Sequence, residues 1–399
     1  MPEFKFTLPS IIELKRDQRL AYNPRHSVLV TGGPGSGKTV VTIFRFLRPI
    51  LEERDIILFT FNRTLIYSIK GTLKERAEEL FGDFDLEKID NIVENCLATF
   101  YQWHKDNIIY FNPEADEVTV AKNFQYFIEN TRNNKKFDEL FFDEGQDIPG
   151  SVYSNIFSLS DIVSVGADRA QNYRGHYPTD EVEDIINEKL NSQTKTLWQY
   201  LGINFRNTKQ IFELAKKFVP KDMRVQQINH EDLRNGNNPE IEIGLTLNQQ
   251  LDYIKRIIEN NPNSNIGILV HFRKQIICIK EYLEAQKYSC KDDAPEDKSF
   301  SYYFSGMDAT DERILMKKLR TPFIATFESC KGLEFDIVVM PLFEKSDWAM
   351  ANLNEEGRPW ATPNHYYVAV TRAKNDLFIL CDNKPQSLGF YKQPSKASR

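Results

Sequence analysis

A glycine-rich loop in the first tenth of the chain constrains its fold more than any other feature. An apolar run at residues 28–30 leads into TGGPGSGKT at residues 31–39, and the apolar residues at 40–44 predict a helix. The loop has the form G-x-x-x-x-G-K-T, in which glycines let backbone N–H groups surround phosphate oxygens, and the helix N-terminus attracts the same negative charge. The alternative is a plain glycine-rich turn. Because strand, glycine spacing, Lys-Thr and helix occur in this order, we predict phosphate binding.

The side chains that end this loop suit a nucleotide carrying Mg²⁺. Lys38 would reach the β- and γ-phosphates as a point charge, and Thr39 would offer its hydroxyl to the metal ion. We expect the cofactors to be ATP and Mg²⁺. The predicted nucleotide-binding residues of the loop are Gly32, Gly33, Pro34, Gly35, Ser36, Gly37, Lys38 and Thr39.

A second motif supplies carboxylates. The apolar run at residues 140–142 ends in Asp143 and Glu144, and a buried strand that ends in acids presents their charge at the C-terminal edge of its sheet. Asp143, together with Thr39, would hold Mg²⁺ through its water shell. Glu144 would orient or deprotonate the attacking water. Such a pair alone is often only a solvated strand end, but beside a phosphate-binding loop it predicts hydrolysis of a phosphoanhydride.

Length and composition favour a protein of two domains without a membrane segment. A chain of 399 residues is too long for one ordinary core, and 41% hydrophobic with 27% charged residues is typical of a globular protein. No apolar segment is long enough to span a bilayer, and the first residues do not form a signal peptide. The five cysteines lack C-x-x-C pairs, which predicts reduced thiols in a cytoplasmic protein and no cysteine metal site. The net charge of -6 indicates that any nucleic acid is held by a local groove.

Apolar runs alternate with helix-period stretches, which predicts parallel sheets in an α/β fold. The pattern occurs twice, around the glycine-rich loop and again after residue 266. We predict one domain at residues 1–198, a second at 199–391 and a flexible tail at 392–399. The predicted strands lie at residues 28–31, 56–61, 140–143, 162–165, 266–271, 323–326, 336–342 and 377–381, with helices at 64–80 and 273–283 among others.

The residues after Glu144 add a resemblance to a known family. DEGQD at residues 143–147 has the form D-E-x-Q-D, and after this loop it resembles motif II of the UvrD/Rep-like superfamily 1 DNA helicases. Further stretches resemble the family's other motifs in the family's order, over nearly the whole chain. They are Gln18 (Q motif), FTFNR at 59–63 (motif Ia), DRAQ at 168–171 (motif III), LGINFRN at 201–207 (motif IV), the stretch from Thr326 through KGLEFD at 331–336 (motif V) and YVAVTRAK at 367–374 (motif VI).

The resemblance implies a fold and a set of roles. The fold would be two tandem RecA-like P-loop NTPase domains with parallel sheets, hydrolysing ATP at their interface. Gln18 would recognise the adenine edge, Phe205 would stack on the base, and Glu334 would accept a hydrogen bond from the ribose. Gln171 would link the γ-phosphate to the nucleic-acid site. Arg206 and Arg372 would reach the γ-phosphate from the second domain. From the residues alone, Phe205 could equally pack in a core and Glu334 could be a surface carboxylate.

Contacts with nucleic acid are also carried over by resemblance, since aromatic rings stack on bases without regard to sequence. Because 12% of the residues are aromatic, the alternative of core packing applies to each ring. Thr99 and Asn62 suit contacts to backbone phosphates. The predicted nucleic-acid-binding residues are Phe61, Asn62, Thr99, Trp103 and Tyr173.

The chain departs from the family pattern at several points. Ala167 stands where a glycine usually precedes the aspartate of motif III, and Val40 stands where many members carry a basic residue. The stretches between Thr99 and Asp143 and between Ile266 and Thr326 are too short to hold the helical domains inserted in large members. The chain therefore resembles a compact motor without those insertions.

Together these features predict an ATP-dependent translocase or helicase that acts on single-stranded DNA, with 3′-to-5′ polarity by resemblance only. One alternative is a nucleic-acid-sensing switch or loading ATPase, with little unwinding of its own, in a repair or defence complex that would supply a protein partner. The other is an RNA-directed helicase. We expect no membrane partner.

Overall fold

The structure, a computed structural model, describes residues 6–82, 86–172, 174–178, 180–219, 233–291, 293–317, 319–355 and 357–392. The chain divides into two compact units, and the division falls between Arg206 and Asn207. Among described residues, the first unit holds 6–206 and Leu233, and the second holds 207–219 and 234–392. The predicted tail lies outside the described residues except for Lys392. None of the helices in this part of the chain combines the length and apolar character needed to cross a bilayer.

The first unit contains a six-stranded sheet in which every pairing is parallel, with the strand order β3-β2-β4-β5-β1-β6. Its strands are β1 (Val28–Gly32), β2 (Ile56–Thr60), β3 (Leu97–Thr99), β4 (Phe137–Phe142), β5 (Ser160–Ala167) and β6 (Leu197–Leu201). Its helices are α1 (Arg16–Tyr22), α2 (Lys38–Leu51), α3 (Arg63–Glu75), α4 (Ala77–Phe81), α5 (Leu86–Cys96), α6 (Phe100–Asn107), α7 (Glu117–Asn130), α8 (Gly150–Tyr153) and α9 (Val182–Asn191).

The second unit repeats this design with the order β7-β12-β11-β8-β10-β9, again with parallel pairings throughout. Its strands are β7 (Glu240–Ile243), β8 (Ile266–Val270), β9 (Ser301–Tyr303), β10 (Phe323–Thr326), β11 (Phe335–Met340) and β12 (Ala373–Cys381). Its helices are α10 (Lys209–Lys216), α11 (Leu247–Asn260), α12 (Arg273–Ala285), α13 (Ala309–Lys317), α14 (Ser346–Ala351) and α15 (Pro363–Val370). The predicted α/β fold with two parallel sheets is confirmed.

Central strands are buried on both faces, which is why they appear in the sequence as continuous apolar runs. All five residues of β1, β2 and β8 are buried. The core of the first unit is rich in aromatic rings, with Phe59, Phe100 and Phe142 packed within 6.1 Å of one another, centroid to centroid. These buried sheets hold the C-terminal strand ends, where the predicted site residues lie, in fixed positions.

The predicted boundary between residues 198 and 199 falls inside β6. That strand pairs in parallel with β1 from Leu197 to Leu201, so it belongs to the first sheet. The chain leaves the first unit only after Arg206.

Candidate active site

The glycine-rich loop joins β1 to α2, in the order that the sequence predicts. Gly35 and Gly37 have positive φ angles of 72° and 89°, a conformation that glycine adopts without steric cost. A Cβ on Gly37 would lie 2.3 Å from the Gln18 amide nitrogen, and one on Gly35 would lie 2.4 Å from the Asn204 side-chain oxygen. Close packing and backbone conformation therefore both require glycine at these two positions. The first residue of α2 is Lys38, so the helix N-terminus faces the loop.

Lys38 is buried, with 8% of its side chain exposed. Its ammonium group donates hydrogen bonds to the carbonyl oxygens of Gly32 (2.6 Å) and Gly33 (3.1 Å). It also lies 3.4 Å from a carboxylate oxygen of the fully buried Asp168. These contacts hold the cation beside the loop, where an anionic ligand would gain most from it.

Thr39 and Asp143 form the next part of the site. The Thr39 hydroxyl donates to the Asp143 carboxylate, at 3.1 Å from each of its oxygens. The two side chains therefore offer converging oxygen ligands at the end of β4. Mg²⁺ prefers such hard oxygen donors and usually takes only one or two from the protein, with the rest from water and phosphate. The residues present fit a magnesium site.

Glu144 has an unusual backbone conformation. Its φ and ψ angles are 63° and 48°, in the left-handed region that a residue with a side chain rarely adopts. Its carboxylate is buried and accepts a 2.6 Å hydrogen bond from the Gln146 side-chain amide. This strained conformation turns the chain away from β4 directly after Asp143. Glu144 is thereby fixed next to the Asp143 carboxylate.

A chain of hydrogen bonds connects Glu144 with the segment around Gln171. Gln146, which donates to Glu144, accepts from the backbone N–H of Asp168 at 3.0 Å. The Asp168 carboxylate accepts from the Gln171 amide at 2.6 Å and faces Lys38. Asp168 and Gln146 were not among the predicted site residues. Their places inside the motif II-like and motif III-like stretches are the signals that could have identified them.

Gln18 lies in α1 and is buried. Its side-chain nitrogen donates to the Ser36 carbonyl at 3.2 Å, and its oxygen accepts from the Lys15 N–H at 2.9 Å. The structure thus brings Gln18 to the glycine-rich loop. The remaining loop residues, Gly32 through Thr39, lie together as the sequence predicts.

A buried arginine on α2 ties this region together. Arg45 donates to the carbonyl oxygens of Ala21, in the last turn of α1, and of Pro24 and His26, which follow that helix. It also forms a 3.2 Å ion pair with buried Glu139 of β4. Burial lowers the pKa of Arg45 to about 10, while the charge of Glu139 opposes that shift. The arginine therefore joins the helix of the glycine-rich loop to the end of the helix that carries Gln18.

The segment at residues 204–206 packs against the same loop. The Phe205 N–H donates to the Gly35 carbonyl at 2.9 Å, and the Asn204 side chain accepts from the Arg206 N–H at 2.9 Å. Phe205 is 46% exposed. The prediction placed Arg206 in the second domain. It belongs instead to the first unit, because its segment is bonded to the loop before the chain crosses to the second unit.

Two predicted residues lie in the second unit. Glu334 forms an ion pair with Lys374 at 2.7 Å. Arg372 is almost fully buried, and its guanidinium donates to the carbonyl oxygens of Val368 (3.1 Å) and Leu333 (3.2 Å). Both residues lie where β11 and β12 begin.

The predicted nucleic-acid residues have different surroundings. Phe61 is partly buried, with the Arg174 guanidinium 5.5 Å from its ring centroid. Asn62 caps α3 by accepting from the Leu65 N–H at 3.1 Å. Thr99 is partly buried and directly precedes α6.

Trp103 does not match its prediction. Its indole is 8% exposed and packs edge-on against Phe59, at 5.1 Å between centroids, and against Phe127, at 5.4 Å. Because no face of the ring is open for a base, Trp103 is a core residue. Tyr173 lies outside the described residues.

Residues 187–384 match the family model of an AAA domain, AAA_12. No curated protein sequence matches the chain. The chain is similar to a solved structure of the DUF1998 helicase MrfA bound to DNA and AMPPNP, with a TM-score of 0.51 and 11% identity. That match covers 96% of this chain and 50% of MrfA.

Two other helicase structures also match. The arterivirus nonstructural protein 10 helicase, solved in complex with DNA, has a TM-score of 0.37 and 13% identity, covering 94% of this chain and 64% of the helicase. The C-terminal domain of a possible DNA helicase from Lactobacillus plantarum WCFS1 has a TM-score of 0.30 and 14% identity, covering 46% of this chain and 91% of that domain. The chain spans about half to two thirds of the longer helicases that it matches. It consists of two RecA-like α/β domains, a fold that it shares with the helicase MrfA.

Proposed function

We propose that this chain is an ATP-dependent single-stranded DNA translocase or helicase of the UvrD/Rep-like superfamily 1 type. The observation that carries the proposal is the convergence of Thr39, Asp143 and Glu144 beside a glycine-rich loop with Lys38 at the start of its helix. These are the groups that phosphoryl transfer to water requires. The MrfA structure, which has the same fold, was solved with DNA and AMPPNP. That printed description supports a nucleotide and a nucleic acid as ligands here.

In the proposed reaction, the loop's backbone N–H groups and Lys38 bind the β- and γ-phosphates of ATP. Thr39 and Asp143 would hold Mg²⁺, whose positive charge would offset the charge on the transferring phosphoryl group. Glu144 accepts a proton from the attacking water or orients it. The γ-phosphorus–oxygen bond to ADP breaks as the bond to the water oxygen forms. The products are ADP and inorganic phosphate.

Gln18 and Phe205 are proposed to bind adenine, and Glu334 the ribose. Phe205 suits stacking because the residue is nearly half exposed while its backbone N–H is bonded to the loop. Gln18 and Glu334 both have hydrogen-bond partners within the protein. Recognition by either residue would therefore exchange those partners for the nucleotide.

Arg206 and Arg372 are proposed to stabilise the charge that develops on the γ-phosphoryl group. Arg206 follows Phe205 in the first unit, whereas Arg372 belongs to the second. Hydrogen bonds run from Glu144 through Gln146 and Asp168 to Gln171. These bonds support the proposal that Gln171 would link the γ-phosphate to the nucleic-acid site. Hydrolysis would in this way bias the two units between conformations, and so move the chain along DNA.

A second candidate, a nucleic-acid-sensing switch or loading ATPase, is favoured by one observation. Between β3 and β4 the chain builds only α6 and α7, and between β8 and β10 the described residues build only α12, β9, α13 and short irregular segments. No inserted domain is present in these described stretches to meet a duplex. Strand separation by the chain alone should therefore be weak, and a partner protein of a repair or defence complex would supply the missing surface.

Assays on a DNA duplex with a single-stranded tail distinguish the translocase or helicase from the switch or loading ATPase. ATP hydrolysis, displacement of a streptavidin block from single-stranded DNA and duplex unwinding would be measured on one preparation, with RNA substrates in parallel. The leading proposal expects DNA-stimulated hydrolysis with displacement of the block and poor unwinding of long duplexes. Hydrolysis without displacement would favour the switch, and stimulation by RNA alone would favour an RNA-directed enzyme. The net charge is -6, so the binding of DNA should depend on a few local contacts to phosphates. The affinity for DNA should therefore fall steeply as the salt concentration rises.

A further inference from the structure

The two backbone carbonyls that flank Arg372 are held by one buried side chain. The Asn207 amide nitrogen donates to the Thr371 carbonyl at 3.0 Å and to the Ala373 carbonyl at 2.6 Å. Asn207 has no exposed surface, and it belongs to the second unit together with both of these partners. A primary amide has two N–H donors at a fixed angle. One side chain therefore holds the carbonyl groups of the residues before and after Arg372.

The backbone of Arg372 has little remaining freedom. Its N–H donates to the Ala369 carbonyl at 3.2 Å, and its own carbonyl accepts from the Phe335 N–H at 2.9 Å. With the two bonds from Asn207, the turn from α15 into β12 is held on both of its sides. The direction in which the Arg372 side chain leaves the backbone is set by this turn.

The Arg372 side chain then extends through buried surroundings, where its guanidinium donates to the Val368 and Leu333 carbonyls. A guanidinium acts on a phosphoryl group through a planar fork of N–H donors, so its angle matters as much as its distance. A small rotation of the turn at Thr371 would be carried to the end of this long side chain. The geometry of the backbone therefore controls where the positive charge lies.

We propose that Asn207 is a positioning residue for Arg372, acting through the two flanking carbonyls and making no contact of its own with the nucleotide. The inference rests on the proposed role of Arg372 at the γ-phosphate. Asn207 also directly follows Arg206, the last residue that the first unit holds before the chain crosses.

An ordinary buried amide that only satisfies two carbonyls would give a different result. Its loss would lower stability and leave the turnover of folded enzyme unchanged. A positioning residue lowers kcat, with little effect on the affinity for ATP, because Arg372 meets a charge that grows in the transition state. Its effect must also disappear once Arg372 is removed.

The experiment is a double-mutant cycle in the full chain. Asn207→Asp keeps the shape of the side chain but removes both N–H donors, and Asn207→Ala serves as a second variant if the first does not fold. Arg372→Ala and the combined variants complete the cycle. The control is Asn261→Ala, which removes an amide of the same unit that donates to the Ile257 carbonyl at 2.8 Å. Turnover with DNA, the dissociation constant for ATP and thermal unfolding are measured for each.

We expect Asn207→Asp to lower kcat by about 10²-fold, the size of effect that a misplaced catalytic group produces. The ATP dissociation constant should change little, Asn261→Ala should turn over like the wild type, and the double variant should be no slower than Arg372→Ala. Wild-type turnover in folded Asn207→Asp, or losses that multiply in the double variant, would overturn the inference while leaving the role of Arg372 intact. Wild-type turnover in Arg372→Ala would instead overturn the proposed role of Arg372, and the inference with it.

Discussion

The Thr39 hydroxyl lies 3.1 Å from both carboxylate oxygens of Asp143, although 104 residues separate them in the chain. The pairing exists because β1 and β4 are both central strands of one parallel sheet, so their C-terminal ends lie at the same edge. One strand leads into the glycine-rich loop and the other into the two acids. The fold thereby brings together two residues that are distant in sequence and that we propose bind magnesium.

Glu144 should be essential for hydrolysis but not for binding. Glu144→Gln keeps Asp143 and Thr39 in place and removes the group that activates water, so kcat should fall by about 10³-fold while Mg²⁺-ATP still binds. Single-turnover hydrolysis and nucleotide binding on the same preparation measure the two effects separately. Lys38→Ala is the comparison, because loss of the phosphate-binding cation should weaken binding as well. A Glu144→Gln enzyme that hydrolysed ATP at the wild-type rate would remove the role proposed for this acid.

Gln18 should discriminate adenine from guanine. One neutral hydrogen bond contributes about 0.5–1.5 kcal/mol, so Gln18→Ala should narrow the preference for ATP over GTP by about two- to tenfold. The ratio of kcat/KM for the two nucleotides measures this preference. Because Gln18 also bonds to Ser36, Ser36→Ala, which keeps that backbone carbonyl, is the matched control. Equal use of ATP and GTP by the wild type would contradict the assignment.

Arg45 should be important for stability. Its removal leaves Glu139 buried without the ion pair, and such losses destabilise a protein by about 3–5 kcal/mol. Urea unfolding of Arg45→Ala measures the effect. The control is Arg25→Ala, which breaks a 2.8 Å ion pair with Glu52 at the surface and should change stability little. An equal free energy of unfolding for Arg45→Ala and Arg25→Ala would show that the buried ion pair stabilises the protein no more than the surface pair.

Two buried histidines should make the protein sensitive to acid. Burial lowers the pKa of His271 to about 3, and burial together with the nearby Lys331 charge lowers the pKa of His365 to about 3. Between about pH 6.5 and that value, the unfolded chain binds protons that the folded chain does not, so stability falls as the pH falls. The slope should be about 1.4 kcal/mol per pH unit for each histidine.

Measuring the free energy of unfolding across this pH range, with His271→Gln beside the wild type, checks the pH dependence. The variant should lose stability less steeply on acidification, because one of the two histidines that bind a proton in the unfolded chain but not in the folded chain is gone. His26→Gln is the control at a more exposed position. Parallel curves for wild type and His271→Gln would contradict the assignment of the slope to His271.

The central strands could be predicted from sequence, whereas the edges of both sheets could not. Eight strands coincide with predicted apolar runs, because a strand that is covered on both faces is apolar along its length. They are β1, β2, β4, β5, β8, β10, β11 and β12. The four strands that the sequence did not indicate, β3, β6, β7 and β9, are the outermost strands of the two sheets. Edge strands are short or half exposed: β6, for instance, has only Leu201 fully buried. Their apolar signal is correspondingly weak.

The candidate site likewise contains residues that could be predicted from the sequence and residues that could not. The loop and the acids of motif II were predictable because each is contiguous in sequence and requires specific residue types. The motif-like stretches could have identified Asp168 and Gln146 as site residues, but not the hydrogen bond between them, since it joins segments whose contact depends on the order of strands in the sheet. Trp103 was misassigned because an aromatic residue after a strand has the same local pattern in a core as at a binding surface. Arg206 was assigned to the second domain, but the chain passes from the first unit to the second only after this residue. No local sequence pattern indicates where that passage occurs.

Hydrolysis of ATP as a function of single-stranded DNA concentration tests the central proposal most directly. The full chain with Mg²⁺ would be titrated with an unstructured oligonucleotide, and Glu144→Gln at the same concentration would give the background. We expect a low basal rate that rises to saturation with DNA, by about tenfold or more in kcat, as expected when DNA binding stabilises the hydrolysis-competent conformation. A rate that is indistinguishable from the Glu144→Gln background, or that is unchanged by both DNA and RNA at low salt, would contradict the proposed function.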